Sequence, residues 1–284
     1  PTHQHRQVIM RKYSNIISLT RNSRGIYSLD TSIGCASGMK NEQGGCYNDC
    51  YAYKSAKIYG YDFNTTILRD FRNEKHRQEI LNKINRIKLD FVRVGCSGDP
   101  SENWEHFINV IKKIDTCNKQ IVVITRHWTL LNQEQLEYFA KINICINTSI
   151  SALDNPEIMS NCLMQYNRIK PYCKSVLRIV SCEFNLENIE GNKLDKIQHS
   201  LFKNEGIIDT VFRPSKTNKL VTDGVIKTAF TKFMDNPKTL VSKLNKSTYL
   251  GKCSTCFEMC GLNVKVQQNY PKKKGIVKQL KIFK

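Results

Sequence analysis

Through the middle of the chain one pattern recurs: a short run of β-branched apolar residues, a polar loop, then a segment whose apolar residues fall at helical spacing. Such repetition is the signature of βαβ units around a parallel sheet. The first strand is predicted over 26–33. It leads into a loop rich in Gly and Cys, then a helix over 51–59 and a basic amphipathic helix over about 73–87. Further strands are predicted at 91–94, 120–125, 142–150, 176–182 and 207–212, alternating with helices at 104–114, about 132–141, 155–168 and 194–202. The helix at 104–114 carries Phe107, Val110 and Ile111 on one side, and the next carries Leu136, Phe139 and Ala140. Periodicity does not separate a doubly wound open sheet from a full or partial barrel, but in each of them ligands gather at the carboxyl ends of the strands. A boundary is expected near Pro214 to Thr222, after which 225–233 and 239–244 have helical character. The chain therefore divides into a basic N-terminal segment (1–25), a strand–helix body (26–216) and a C-terminal extension (217–284).

With 284 residues, 40% of them hydrophobic, the chain is long enough for one large core plus an appendage and is not of disordered composition. No apolar run approaches the roughly 18 residues that cross a bilayer, and the basic start is not followed by the apolar core of a signal peptide, so no membrane association and a cytoplasmic location are expected. Lys and Arg number 44 against 25 acidic residues, a net charge of +19, which raises nucleic acid as a partner. Lys, Asn and Ile are abundant throughout, a bias that AT-rich coding also produces. The tail is more pointed: Lys265, Lys272, Lys273, Lys274, Lys278, Lys281 and Lys284 occur there without one acidic residue.

Twelve cysteines are many for an ordinary cytosolic enzyme and sparse for a disulfide scaffold, so metal ligation is the better reading. Six form two tight groups; Cys96, Cys117, Cys145, Cys162, Cys173 and Cys182 are single, and most are read as small buried hydrophobes. The first group, Cys35-x10-Cys46-x3-Cys50, lies between the first strand and the first helix. Three thiolates on one loop suit a [4Fe-4S] cluster with its fourth iron open. Zinc is the competing reading and needs a fourth ligand, for which His76 or His127 would have to come from afar. The second group, Cys253-x2-Cys256-x3-Cys260, suits a second iron–sulfur cluster or zinc.

Over about 26–216 the chain resembles the radical S-adenosylmethionine (SAM) enzymes, which carry three cysteines in the loop after the first strand, usually spaced C-x3-C-x2-C. The Cys50-Tyr51-Ala52 step is similar to that of divergent, often phage-borne members and puts Tyr51 among the cofactor-binding candidates. The resemblance implies an α/β fold, a partial (β/α)6 TIM-like barrel with a small C-terminal cysteine-containing extension. It implies a [4Fe-4S] cluster on Cys35, Cys46 and Cys50 that binds SAM through its open iron. One electron, from a donor such as flavodoxin or ferredoxin, then cleaves the S–C5′ bond, and the resulting 5′-deoxyadenosyl radical abstracts a substrate hydrogen. Some members place an auxiliary cluster in a C-terminal extension, which supports one on Cys253, Cys256 and Cys260.

Other positions agree. Gly95, Ser97, Gly98 and Asp99 occupy the Gly-rich turn after the second strand, where the family's backbone receives the methionine amino group. Glycines permit close approach and an acidic group beside an ammonium is favourable; a plain helix lead-in by Asp99 before Pro100 is the alternative. Asn147, Ser149 and Ser151 alternate along the fourth strand and face one way, suited to the ribose. Arg178 is the similar candidate for the SAM carboxylate, with Arg126 as the alternative. Cys96, inside the turn, either donates a hydrogen atom to a substrate radical or packs. Arg213 and Lys216, after the sixth strand, are placed near the substrate by position alone. Nucleic acid or a nucleotide is the first choice of substrate. The rival class is a non-catalytic zinc-stabilised protein that binds nucleic acid through its basic surface.

Overall fold

The computed structural model describes residues 11–22, 25–41, 45–202, 207–212, 214–227, 231–233, 240–242, 249–250 and 260–262. Cys253, Cys256, Arg213 and the lysines of the tail lie outside the described residues.

A seven-stranded sheet runs in the order β1 (Leu19–Arg21), β2 (Tyr27–Leu29), β5 (Phe91–Val94), β6 (Gln120–Thr125), β7 (Ile144–Ile150), β8 (Lys174–Ser181), β9 (Ile207–Val211). From β2 onward every neighbour is parallel and follows in chain order, without the reversal of a doubly wound sheet. β1 adds an antiparallel edge from within the expected N-terminal segment. The first expected strand is shorter than the sequence suggests: at Asp30 the chain leaves the sheet, and β3 (Ser32–Ile33) pairs instead with β4 (Ile67–Leu68).

The connections are α3 (Glu74–Asn85), α4 (Trp104–Lys112), α5 (Gln133–Phe139), α6 (Pro156–Ile169) and α7 (Ile189–Leu201). Each starts at an asparagine, Asn73, Asn103, Asn132, Asn155 and Asn188, whose side chain accepts a backbone N–H of the first turn. Each cap stabilises its helix by about 1 kcal/mol. α1 (Ala36–Asn41) and α2 (Tyr51–Ile58) flank the cysteine loop, and α8 (Lys219–Thr222) follows β9. Helix α1 was expected to be loop.

Alternation splits the sheet into two faces. Leu29, Val92, Val94, Ile121, Val123, Ile144 and Ile146 pack against α3, α4 and α5 through Ile80, Ile84, Phe107, Leu136 and Phe139. Ile150, Leu177 and Ile179 pack against α6 and α7. The opposite, inner face begins with a small apolar layer, Ile26, Phe91, Val122, Cys145, Val176 and Cys260, and becomes polar toward the strands' carboxyl ends.

Two expected C-terminal helices are strands instead. β10 (Thr231–Phe233) and β11 (Leu240–Ser242) pair antiparallel, and β12 (Tyr249–Leu250) adds to β11. Both segments are short, partly apolar runs that suit a strand as well as a helix, and they include the β-branched Thr231 and Val241. Among the described residues no helix is long and apolar enough to cross a membrane.

Candidate functional site

The cysteine loop lies over the carboxyl ends of the strands. Cys35 follows β3, Cys46 opens a single 3-10 turn and Cys50 precedes α2; all three are half-buried. Two glycines make room for the sulfurs: a Cβ on Gly38 would lie 2.7 Å from Cys35 Sγ, and one on Gly45 2.6 Å from Cys50 Cβ. Glu102 receives the Cys35 thiol at 3.5 Å and the Ser37 backbone N–H at 2.8 Å. Burial, then Asp99, Cys46 and Glu102, hold the Cys35 thiol well above the ordinary range. Ligation there must displace a proton, as thiolate binding always does.

Between Cys46 and Cys50 the backbone is strained. Tyr47 and Asn48 are left-handed, with φ of 59° and 56°, a conformation that costs about 1–3 kcal/mol in a non-glycine residue. Surrounding contacts impose it. The Tyr47 hydroxyl accepts from Arg126, and its carbonyl accepts from Asn218 Nδ2 at 3.2 Å. Asp49 pairs with Lys54 and accepts from the backbone and hydroxyl of Ser215 at 2.5 and 3.1 Å. Tyr47 also meets Phe212 edge-on, with ring centroids 5.5 Å apart. The loop that follows the first parallel strand is thus fastened to the segment that follows the last.

The turn after β5 is organised by Asp30. Its carboxylate accepts the N–H groups of Gly95 and Cys96, both at 2.9 Å, and of Ser97 at 3.1 Å. The Cys96 carbonyl accepts the Tyr51 hydroxyl, although the Tyr51 residue is 64% exposed. Burial and the nearby Asp30 push the Cys96 thiol up to about 12, so it keeps its hydrogen at neutral pH. Gly98 forms a bridge with Gly34 and packs on the backbone of Ser32. Asp99 accepts from Ser101 N at 2.9 Å and Arg126 N at 2.7 Å, the helix lead-in arrangement.

Four arginines are treated differently. Arg69 donates to the Ile16 carbonyl and to Ser18. Arg126 is buried, pairs with Asp154 at 2.7 Å and lies over the Tyr47 ring; Asp154 in turn accepts Ser151 N at 2.8 Å. Arg126 stays charged because Tyr47 and Asp154 oppose the cost of its burial. Arg178 on β8 donates to Ser149 Oγ at 2.9 Å, and its Nε has no partner among the described residues. Arg93 on β5 likewise has an unpartnered Nε. Of the β7 polar residues, Ser149 meets Arg178, Asn147 leaves its Oδ1 without a partner, and Ser151 is committed to the Val180 carbonyl at 2.7 Å.

Elsewhere the structure separates what spacing left open. Cys260 is buried in the apolar layer beside Cys145, and its carbonyl accepts from Gln120 at 2.6 Å. His127 is fully buried on the helix side, bonded to Thr148 at 2.8 Å, and burial pulls its pKa down to about 3. His76 sits in the first turn of α3, where its ring accepts from Arg72 N. Among the described residues no three or more His, Cys, Asp or Glu are grouped to hold a single metal ion. An iron–sulfur cluster asks for something else, since its cysteines ligate separate irons. Comparison with protein-family models and with curated proteins finds no match to this chain.

Asp30, Tyr47, Arg93, Glu102 and Asp154 were missed from sequence. Arg93 carried a readable signal: a lone guanidinium inside Phe-Val-Arg-Val, a strand type that is otherwise continuously apolar when both faces are covered. Asp30 and Asp154 carried none, because their partners lie 65–67 and 28 residues away in the chain.

Proposed function

We propose that the chain is a radical SAM enzyme whose sheet is a partial (β/α)6 barrel and whose inner face is the reaction chamber. The observation that carries this reading is the position of the cysteine loop, fastened across the carboxyl ends of six parallel strands in sequential order. A sheet whose first and last loops touch while its strands run in one order favours a curled sheet over a flat one, and ligands of such folds gather at that end.

The donor set fits a [4Fe-4S] cluster: three soft sulfurs on one loop, with glycines where a side chain would crowd them. Cluster and SAM together would supply one-electron cleavage of a carbon–sulfur bond and a carbon radical able to remove a substrate hydrogen. The chain's own residues do the rest. Arg126 stands near Cys46 and, paired with Asp154, braces the loop through Tyr47, while Trp128 lies over Gly38 beside Cys35. Asp30 holds the Gly95–Ser97 turn rigid. Asn147 and Ser149 present polar groups for the ribose, and Arg178 takes the carboxylate of SAM. Arg126, the alternative, is already neutralised by Asp154. Cys96 remains a protonated thiol facing the same space, and an electron donor such as flavodoxin or ferredoxin completes the system.

The test is anaerobic reconstitution of the full chain with iron and sulfide, followed by reductant and SAM, with 5′-deoxyadenosine read by mass spectrometry. It forms in the wild type and is lost in Cys46→Ala. Formation that survives Cys46→Ala would overturn the cluster assignment; zinc without iron in the native protein would favour the rival binding module.

A further inference from the structure

From the charge arrangement on the inner face we infer that Arg93, with Arg178 across from it, holds the phosphate of a phosphomonoester substrate. This deepens the preceding reading and rests on it only in calling the ligand a substrate; phosphate binding needs neither cluster nor reductant.

The argument is a contrast among guanidiniums. Arg126 has Asp154, and Arg69 has the Ile16 carbonyl and Ser18. Arg93 and Arg178 form no ion pair among the described residues, and Ser149 is the one side chain there that accepts from either. Their Nε atoms, like that of Arg126, are buried with no acceptor among those residues, so the distinguishing feature is the missing carboxylate. They are also close enough to repel: burial and then the Arg93 charge pull Arg178 down to about 10. Both approach the Cys96 thiol, and the Tyr47 and Tyr51 hydroxyls stand near Arg178.

Two half-buried like charges held close together are unfavourable unless an anion joins them. The guanidinium fork matches phosphate or carboxylate oxygens in a bidentate manner. Charge decides between the two. Bound SAM carries a sulfonium, an ammonium and one carboxylate, a net single positive charge, so even with its carboxylate shared by Arg178 the site keeps an excess of positive charge. A dianionic phosphate between Arg93 and Arg178 offsets two of those charges, where a carboxylate offsets one. A terminal phosphomonoester meets this need better than a phosphodiester, which carries one charge per phosphate.

The test follows the thermal transition of the full chain, without cluster or SAM, against inorganic phosphate, with acetate and an unphosphorylated oligonucleotide for comparison. A ligand that binds only the folded state raises the transition in proportion to its occupancy. Phosphate stabilises the wild type, and Arg93→Gln and Arg178→Gln each weaken that effect by about tenfold or more in concentration. Without phosphate the Gln variants melt at or above the wild type, because an uncompensated charge has gone. Should Arg93→Gln melt lower, Arg93→Lys carries the test, keeping the charge but losing the fork, and is expected to bind phosphate detectably but weakly. The inference is overturned if phosphate has no effect on the wild type or acts equally on the variants. It is also overturned if acetate or the oligonucleotide binds as tightly as phosphate. Assaying 5′-deoxyadenosine in parallel separates the two readings. Its formation without phosphate binding removes only this inference, and phosphate binding without it removes only the radical reading.

Discussion

The two faces of the central sheet use the same strands for opposite ends. On the helix side apolar packing dominates, and the buried polar atoms left without a partner among the described residues, such as His127 Nδ1, the Tyr138 hydroxyl and Gln165 Nε2, belong to neutral groups. On the inner face, two or three residues along the same strands, Arg93, Asn147 and Arg178 keep polar atoms that no described residue satisfies. Unsatisfied buried polar groups are rare in folded proteins because each costs about 1–3 kcal/mol. On the inner face they include guanidinium Nε atoms, so what distinguishes that face is unpaired charge, not the number of unsatisfied groups.

Substitutions at packed or paired residues and at an unpaired guanidinium should therefore differ in sign as well as size. Phe107→Ala on the helix side, where Phe107 meets Trp104 and Phe139, should lower unfolding stability by about 3–5 kcal/mol, measured by urea denaturation. Asp154→Ala should cost a similar amount, about 3–5 kcal/mol, by leaving Arg126 buried and unpaired. It sharpens the comparison, because it creates at Arg126 the condition that Arg93 already has. If it costs nothing, an orphaned guanidinium is cheap here and the contrast between the faces collapses.

The next effect is one of pH. His127 has a folded pKa of about 3 against 6.5 unfolded, so below 6.5 the unfolded chain takes up a proton that the folded chain refuses. Stability should fall as the pH drops from 6.5 toward 3, with this one residue contributing about 1.4 kcal/mol per unit. His127→Asn tolerates the left-handed backbone there, φ 54°, and should flatten that slope in urea titrations between pH 7 and 4. Smallest is the response to Arg93→Gln without ligand, near zero or stabilising. A loss as large as that of Phe107→Ala would make Arg93 an ordinary structural residue.

Much of the fold was legible because its signals are local. The strand bounds at Phe91–Val94 and Gln120–Thr125 came from short, mainly apolar runs, and four helices begin at or near the expected residues, after Asn73, Asn103, Asn132 and Asn155, whereas the helix expected from 194 begins earlier, at Ile189 after Asn188. The C-terminal segments misled because short apolar runs fit a helix and a strand equally. At the candidate site, the grouping of Cys35, Cys46 and Cys50 was visible, but the fastening of their loop through Tyr47 and Asp49 to Phe212, Ser215 and Asn218 was not.

The sequence by itself determined the alternation of strands and helices and the clustering of thiols on one loop, since both depend on residues within a turn or two of each other. Only the tertiary structure decided which polar side chains are already satisfied. Arg126 and Arg178 look alike in sequence, each at or near the end of an apolar strand. One meets Asp154, brought to it from the end of β7, and the other meets Arg93, brought to it from β5. A charge's role is set by the field of its neighbours, and those neighbours assemble only when the sheet does.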